Sequence, residues 1–266
     1  MEGREIVSIN VDLSCDRYCE NCEKFFECEN PEKEKMLIRR RMGKAKETMA
    51  KIRRKIAIVG GKGGVGKSLI TVNLSTALAM RGRKVSILDQ DFDGATVPKM
   101  LGVMGKKLSL TDDGIVPVES LLGIHVISMG NILGDDEVLT WFHEMRRNAT
   151  EEFLSHVLYG ERDYLLVDLP PGTSSDSVNM MEYIPDLTGA VIVTVPSEVS
   201  QNVAWKAGLL CRKANVKIFG VIENMGGFVC PECGKKVDIL RYGGGEKLAK
   251  DLEVPFLGRV PLDPRV

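Results

Sequence analysis

A glycine-rich segment carries the residue types that bind phosphate. Residues 60–68, GGKGGVGKS, fit the pattern G-x-x-x-x-G-K-[S/T], in which backbone N–H groups surround phosphate oxygens. Lys67 is predicted to contact the β- and γ-phosphates, and the Ser68 hydroxyl to bind Mg²⁺. A turn without a ligand is the alternative. The predicted nucleotide-binding residues of the loop are Gly61, Lys62, Gly63, Gly64, Val65, Gly66, Lys67 and Ser68.

Two acidic segments come directly after predicted strands. Asp89 and Asp91 lie in the sequence LDQD, and Asp168 begins DLPPGT. In parallel α/β sheets, ligands bind at the carboxyl ends of the strands. One carboxylate there can hold Mg²⁺ through water, and a second can orient an attacking water. A turn or a helix cap is the alternative for each aspartate.

Six of the seven cysteines form two groups. Cys230 and Cys233 give two thiolates on a turn, whereas a tetrahedral S₄ site needs four. A two-fold symmetric homodimer would supply the second pair. Spacing does not choose between an iron–sulfur cluster, a bridging Zn²⁺ and a redox dithiol. The other group offers four thiolates in one chain, enough for a complete [4Fe–4S] or Zn²⁺ site: Cys15, Cys19, Cys22 and Cys28.

Strand and helix signals alternate from residue 55 onwards. Alternation of this kind predicts an α/β fold with a mostly parallel sheet and helices on both faces. Cys211 falls on an apolar helix face and is predicted to pack in the core. The predicted strands are 55–59, 85–88, 164–167, 190–195, 218–222 and 256–260, and the predicted helices are 67–80, 148–159, 175–183, 199–213 and 245–252.

Charge divides the chain into three parts. Residues 1–30 carry eight acidic and three basic residues, whereas residues 31–55 carry three acidic and eleven basic ones. We predict a Cys-rich metal-binding extension (1–30), a basic linker (31–54) and a P-loop ATPase domain (55–266). The linker is interpreted as a solvated helix or spacer, and a phosphate- or nucleic-acid-binding arm is the alternative.

Composition excludes several classes of protein. The net charge of −1 and the pI of about 6.4 give no basic field for nucleic acid. No apolar run reaches the roughly 18 residues that span a bilayer, and the first residues lack the pattern of a secretory signal. We therefore expect a cytoplasmic protein that binds neither nucleic acid nor membrane.

The loop sequence KGGVGKS resembles the deviant Walker A motif of the MinD/ParA/nitrogenase-iron-protein superfamily. That resemblance implies an α/β P-loop NTPase that forms ATP-dependent face-to-face homodimers, with Lys62 as the signature catalytic lysine. It further implies that Asp91 is the catalytic, water-orienting residue, that Asp89 is its neighbour on the Mg²⁺ side, and that Asp168 is the Walker B aspartate.

Further motifs together resemble the Mrp family of ATP-binding iron–sulfur cluster carriers, from about residue 55 to the end. The resemblance implies slow Mg²⁺-dependent ATP hydrolysis, a labile [4Fe–4S] cluster bridging two subunits through Cys230 and Cys233, and apo iron–sulfur proteins as recipients. It also implies that Asn224 contacts the adenine base, with Asp263 nearby. The motifs are DLPPGT from Asp168, ENM from Glu223, FVCPECG from Phe228, GGGEK from Gly243, PFLG from Pro255 and PLDP from Pro261.

The amino-terminal cysteines carry a resemblance of their own. The spacing from Cys19 through Cys22 to Cys28 resembles the ferredoxin-like extension of the eukaryotic cytosolic scaffolds in this family. In those scaffolds the segment between the first and the second cysteine is much longer than the three residues that separate Cys15 from Cys19.

Two other functions share the deviant P-loop. Spatial-organising ATPases bind membrane or DNA and lack a CxxC motif. Reductases that resemble the nitrogenase iron protein also bridge a cluster across a dimer, but their cysteines lie far apart in sequence. The CxxC motif of this chain therefore favours the carrier.

Overall fold

The computed structural model describes residues 22, 27–28, 30–132, 143–172, 180–181, 183–237 and 243–263. Cys15, Cys19 and most of the predicted helix at 175–183 lie outside these residues. The strands are β1 (Ile52–Gly60), β2 (Val85–Asp89), β3 (Ser109–Thr111), β4 (Gly114–Val116), β5 (Val118–Glu119), β6 (His125–Ile127), β7 (Arg162–Asp168), β8 (Gly189–Thr194), β9 (Ile218–Val229), β10 (Lys236–Val237) and β11 (Phe256–Leu262). The helices are α1 (Lys33–Ala50), α2 (Lys67–Ala79), α3 (Val97–Met100), α4 (His143–His156), α5 (Glu198–Lys213) and α6 (Gly244–Asp251).

The described part of the chain forms a nine-stranded sheet and a small β3–β4 hairpin. The order across the main sheet is β10-β9-β8-β1-β7-β2-β6-β5, with β11 also paired to β9. β1 lies between β7 and β8 and is parallel to both. The antiparallel pairs in this sheet are β5 with β6 and β10 with β9. The predicted α/β fold with a mostly parallel sheet is confirmed.

Helices cover both faces of the sheet because successive side chains of a strand point to opposite faces. Ala57 and Val59 of β1 pack in a core with residues of α1, α4 and α5. Ile58 packs on the opposite face with Ile70 of α2. Cys211 is fully buried in the first core, as predicted, and burial raises the pKa of its thiol to about 11. No helix in the described ranges combines the length and the apolar character needed to cross a membrane.

The basic connector forms α1, and this helix is packed rather than free in solvent. Ala45 and Met49 lie one turn apart and are buried in the main core. Arg41 pairs with Glu152 of α4 at 2.7 Å, and the buried Lys55 ammonium donates to the Met49 carbonyl at 3.1 Å. β1 starts at residue 52, inside the predicted linker. The division of the chain at residue 54 remains a prediction. The interpretation of this segment as a solvated spacer is wrong, because two of its apolar residues, which stand among eleven cations in the sequence, pack in the main core.

Removal of the Met49 side chain should show that α1 contributes to the stability of the body. We expect Met49→Ala to lower the free energy of unfolding by about 2–5 kcal/mol, because a fully buried side chain leaves a cavity. Met80→Ala is the matched control, since Met80 is 76% exposed and its loss should change stability by less than about 0.5 kcal/mol. Denaturant unfolding measures both, and equal effects would contradict the packing of α1.

Candidate functional site

The phosphate loop joins β1 to α2 at the carboxyl edge of the sheet. β1 ends at Gly60 and α2 begins at Lys67, so the positive end of the α2 dipole and its unpaired N–H groups lie at the loop. Gly66 precedes α2 with φ of 85°, a conformation that favours glycine. In the loop Gly61, Val65 and Lys67 are buried, Gly66 and Ser68 are half-buried, and Lys62, Gly63 and Gly64 are exposed.

The Lys67 side chain folds back over the start of the loop. A Cβ atom at Gly60 would lie 2.7 Å from both Cγ and Cδ of Lys67, so the glycine makes room for the lysine stem. Lys67 is only 6% exposed, and its charge opposes the rise that burial causes in the pKa of Asp168. The loop thus holds a buried cation at the tip of β1, where a phosphate group would need one.

Asp89 and Asp168 face each other across the paired strands β2 and β7, and each is 1% exposed. Oδ1 of Asp168 accepts a hydrogen bond from Thr71 Oγ1 at 3.2 Å. The Ser68 hydroxyl also hydrogen-bonds to the Asp168 carboxylate and lowers its pKa. Asp168 Oδ2 is buried and has no hydrogen-bond partner. A buried carboxylate oxygen without a partner, beside a hydroxyl, fits a hydrated Mg²⁺ ion.

Burial governs the protonation of both carboxyls. Burial raises the pKa of Asp168 from 3.8 to about 6, although hydrogen bonds from Ser68 and Thr71 and the charge of Lys67 oppose the shift. Burial and then the charge of Asp168 raise the pKa of Asp89 well above its usual value. Asp89 accepts hydrogen bonds from Ser128 Oγ at 3.0 Å and from the Asp91 backbone at 3.1 Å. Both carboxylate oxygens of Asp89 thus accept hydrogen bonds from the protein, whereas Oδ2 of Asp168 accepts none.

Asp91 lies at the same edge on a more open position. It is half-buried, and its Oδ1 accepts a hydrogen bond from the Gly94 backbone at 3.1 Å. Burial is the main cause of the raised pKa of Asp168, and the charge of Asp91 adds to it. Asp91 also lines a cavity of about 160 Å³ together with Arg146 of α4 and the Pro170-Pro171 segment. The space beside the carboxylate could admit water.

Several residues of this site were missed by sequence reasoning. Gln90 is buried and links the acidic pair to α4: its backbone donates to the Asp168 carbonyl at 2.9 Å, and its Oε1 accepts from Thr150 Oγ1 at 2.9 Å. Ser128 comes from the turn after β6 and has no sequence signal. Thr71 could have been found, because it lies one helical turn after Lys67.

Asn224 is in direct contact with the phosphate loop. It is 2% exposed, and its Nδ2 donates to the Val65 carbonyl at 3.0 Å. A Cβ atom at Gly66 would overlap this amide nitrogen. Asp263 directly follows β11 and is half-buried. The contact of these two residues with adenine remains a prediction, whereas the contact between Asn224 and the loop is a structural fact.

Cys230 and Cys233 lie on the turn that joins β9 to β10. The Cys230 backbone donates to the Lys235 carbonyl at 3.0 Å, and the Gly234 backbone donates to the Cys230 carbonyl at 2.9 Å. Backbone N–H groups of Cys233 and Glu232 hydrogen-bond to the Cys230 sulfur and lower the pKa of its thiol. Cys233 is exposed. A turn that stabilises the Cys230 thiolate and exposes the Cys233 side chain fits the two cysteines to a metal or a cluster.

The hairpin contributes two cysteines to any metal site. Among the residues that the structure describes, no group of three or more His, Cys, Asp or Glu side chains could hold a metal ion. In the other cysteine group, Cys22 and Cys28 are half-buried, and the Cys28 carbonyl accepts a hydrogen bond from the Lys33 ammonium at 2.9 Å. Cys15 and Cys19 fall outside the described residues, and the amino-terminal site stays a prediction.

A P-loop at the tip of a central parallel strand, with a buried carboxylate across from it, defines a P-loop NTPase. The chain belongs to the ParA family, whose sequence profile, described as "NUBPL iron-transfer P-loop NTPase", matches residues 51–266. The resemblance to iron–sulfur carriers and MinD-like ATPases is thereby confirmed.

Relatives with curated names cover most of the chain. The chain is 46% identical over 250 residues to the iron-sulfur cluster carrier protein of Methanocaldococcus jannaschii, covering 94% of this chain and 85% of that protein. It is 42% identical to the cytosolic Fe-S cluster assembly factor CFD1 of Eremothecium gossypii, covering 82% and 80%.

Solved structures show the same fold. The nucleotide-binding protein of Archaeoglobus fulgidus in complex with ADP has a TM-score of 0.75 at 36% identity, covering 84% of this chain and 88% of that one. The cell-division ATPase MinD of Pyrococcus furiosus has a TM-score of 0.59 at 27% identity, covering 80% and 84%.

The raised pKa of Asp168 predicts a pH-dependent stability. Because folding raises this pKa from 3.8 to about 6, ionisation favours the unfolded chain. The resulting decrease in the free energy of unfolding is absent below pH 3.8, grows as the pH rises to about 6, and reaches up to about 3 kcal/mol. We expect Asp168→Asn to stabilise the nucleotide-free, metal-free protein at pH 7 but not at pH 3.5. The exposed Asp113→Asn is the control, and parallel stability-versus-pH curves for wild type and Asp168→Asn would contradict the assignment.

Proposed function

We propose that this protein is an ATP-dependent iron–sulfur cluster carrier. It binds a labile [4Fe–4S] cluster between the Cys230–Cys233 pairs of two chains and transfers it to apo iron–sulfur proteins. The observation that carries the proposal is the β9–β10 hairpin, whose turn brings two cysteines together and hydrogen-bonds to the Cys230 sulfur through the backbone of Cys233 and Glu232. The names of the relatives support the cargo, since the Methanocaldococcus jannaschii protein is called an iron-sulfur cluster carrier.

The hairpin suits a cargo that must leave again. Two chains related by a two-fold axis would supply the four thiolates of a [4Fe–4S] cluster. Each chain could release its half, and Cys233 is exposed to an incoming recipient. A bridging Zn²⁺ ion would satisfy the same ligand count, so the metal must be determined by analysis.

The nucleotide site would bind MgATP through residues that the fold brings together. Lys67 would neutralise phosphate charge, and Ser68 together with Asp168 would hold Mg²⁺, which supplies further neutralisation of the phosphates. Lys62 is exposed on the loop and would reach the nucleotide of the partner subunit. Asp91 would orient the attacking water, and hydrolysis would be slow and Mg²⁺-dependent.

The name of one relative supports the proposed location. We propose a homodimer in the cytoplasm that takes apo iron–sulfur proteins as its partners and binds neither nucleic acid nor membrane. The relative from Eremothecium gossypii is named a cytosolic assembly factor. We further propose that the four amino-terminal cysteines hold a second, intramolecular [4Fe–4S] cluster or Zn²⁺.

Anaerobic reconstitution tests the proposed function. The purified protein is loaded with iron and sulfide, its visible spectrum is recorded, and it is mixed with apo-aconitase. The proposal expects aconitase activity to appear with a matching loss of cluster from the carrier. Zinc in place of iron after purification under anaerobic conditions, together with no transfer, would contradict it. Membrane or DNA binding driven by ATP would support a spatial-organising ATPase instead.

Substitution of Asp91 separates water orientation from metal binding. We expect Asp91→Ala to keep ATP and Mg²⁺ affinity while hydrolysis slows by about 10²- to 10⁴-fold, the range for a positioned acid–base group. Asp93→Ala is the control, since Asp93 is exposed and pairs with Arg146 at 2.9 Å. Phosphate release and Mg²⁺ titration measure the two properties. If Asp91→Ala loses Mg²⁺ binding, Asp91 has the role assigned to Asp168.

A further inference from the structure

One strand serves both the nucleotide loop and the cysteine hairpin. β9 places Asn224 against the loop, where its Nδ2 donates to the Val65 carbonyl at 3.0 Å. The strand ends at Val229, and Cys230 follows directly. Only five residues therefore separate Asn224, which contacts the P-loop, from Cys230. A displacement of Asn224 would start this short length of chain away from the first cysteine.

The strand is interrupted between these two points. Asn224 pairs with Val260 of β11 and Phe228 pairs with Leu262, so residues 225–227 lie opposite the single residue 261. Met225 has φ of 56° and Gly227 has φ of 89°. A left-handed methionine is strained, and a bulge bends a strand and changes the direction of the residues after it. On its own, such a bulge would absorb movement of Asn224.

Arg259 of β11 spans the bulge. Its Nε donates to Oε1 of the fully buried Glu223, the residue before Asn224. Its methylene groups cover Gly226, where a Cβ atom would overlap with Cγ of the arginine. Its Nη2 lies 3.4 Å from Oε1 of Glu246 in α6. One side chain therefore contacts the strand both before the bulge and within it.

Glu223 fixes this arrangement to the body of the protein. Its second oxygen, Oε2, accepts a hydrogen bond from the Gly245 backbone at 2.5 Å, at the start of α6. A buried carboxylate held by an arginine and a backbone N–H has one preferred geometry. The strand segment that carries Asn224 is thus connected to β11 and α6 through charged hydrogen bonds.

We infer that Arg259 and Glu223 are positioning residues that couple nucleotide binding at the P-loop to the geometry of the Cys230–Cys233 hairpin. The inference rests on the proposed function and adds the structural path by which nucleotide binding would reach the cysteine hairpin. When MgATP displaces the loop at Val65, Asn224 moves with it. Because Arg259 stiffens the bulge, the displacement continues to the hairpin and changes the exposure of the thiolates.

Alkylation of the cysteines with and without MgATP tests the coupling. The cluster-free full chain is treated anaerobically with iodoacetamide, and modification of Cys230 and Cys233 is followed by peptide mass spectrometry. Coupling between sites is typically about 5- to 150-fold, so MgATP should change the wild-type alkylation rate by at least about fivefold. The variant carries both Arg259→Met and Glu223→Gln, so that no carboxylate is left buried without its cation.

In this double variant the effect of MgATP should fall below about twofold while ATP affinity is retained, since Arg259 and Glu223 bond to each other and to α6 and neither is a predicted nucleotide-binding residue. Glu246→Gln is the matched control: it removes the outer ion pair and should keep the wild-type response. If the double variant lacks a cooperative unfolding transition, Arg259→Lys replaces it. A lysine lacks the Nε–H group through which Arg259 bonds to Glu223, so its response should also decrease.

An unchanged response in the folded variant would overturn the inference. So would a wild-type protein that binds MgATP and delivers its cluster but shows equal alkylation rates in both states, and this result would leave the proposed function intact. A wild-type protein whose hairpin binds no cluster would instead contradict the proposed function.

Discussion

Lys67→Ala is expected to lose ATP affinity by about 10²-fold or more, because a charge-assisted hydrogen bond contributes about 1.5–3 kcal/mol and Lys67 would make them to two phosphates. The effect should be large because this cation is 6% exposed and lies over Gly60, next to the buried Asp168. Equilibrium titration with a fluorescent ATP analogue measures the change, and retained affinity would contradict the assignment of the loop.

Lys62→Ala is the matched comparison on the same loop. Lys62 is exposed, so a single chain should bind ATP nearly as well without it. We expect the variant to lose ATP-dependent association and hydrolysis, because its ammonium would act on the nucleotide of the partner subunit. Hydrolysis at the wild-type rate in Lys62→Ala would show that the P-loop is an ordinary one.

The double substitution Cys230→Ala/Cys233→Ala is expected to abolish cluster transfer, the largest effect on the carrier activity. It removes both thiolates of the hairpin, whereas the backbone turn around Gly234 can persist, so the fold should remain. ATP binding and the amino-terminal metal should also be retained. Cluster delivery to apo-aconitase and titration with ATP measure these properties on the same preparation. A variant that still delivers clusters would place the carrier site elsewhere.

Deletion of residues 1–30 should have the opposite outcome. The deletion ends before α1 begins at Lys33, so Ala45 and Met49 keep their places in the core. The amino-terminal metal should disappear, while the labile cluster and its transfer remain. Iron analysis before and after chelator treatment distinguishes the two sites, because a site with four thiolates in one chain should hold its metal more tightly.

The central fold could be predicted because buried parallel strands have a strong local signal. The apolar runs of β1, β2, β7 and β8 were found, each within a few residues of its observed bounds. β9 was predicted over residues 218–222, yet it extends to Val229. The glycines and the polar residues in its second half resemble a loop, and pairing with β11 and β10 makes them a strand. The short β6 likewise depends on its pairing with the distant β2, whereas β3 and β4 form a local hairpin and β5 pairs with the nearby β6.

The site could be predicted where a motif fixes the backbone. Lys67, Asp168 and the CxxC turn lie where their patterns indicated. Ser128, which bonds to Asp89, and Thr150, which bonds to Gln90, come from distant segments and carry no motif. The packing of α1 was missed for a different reason: the high charge of the segment suggested solvent exposure, whereas Ala45 and Met49 on one face pack the helix against the core.

Iron and sulfide analysis combined with sedimentation of the reconstituted protein shows whether one cluster bridges two chains. After deletion of residues 1–30, we expect the cluster-loaded protein to sediment as a dimer with about four irons per two chains, because each hairpin supplies two thiolates. Chelation of this iron should return the protein to monomers in the absence of ATP. A cluster-loaded monomer, or a dimer that holds its cluster after Cys230 and Cys233 are replaced, would show that the two hairpins do not share a cluster.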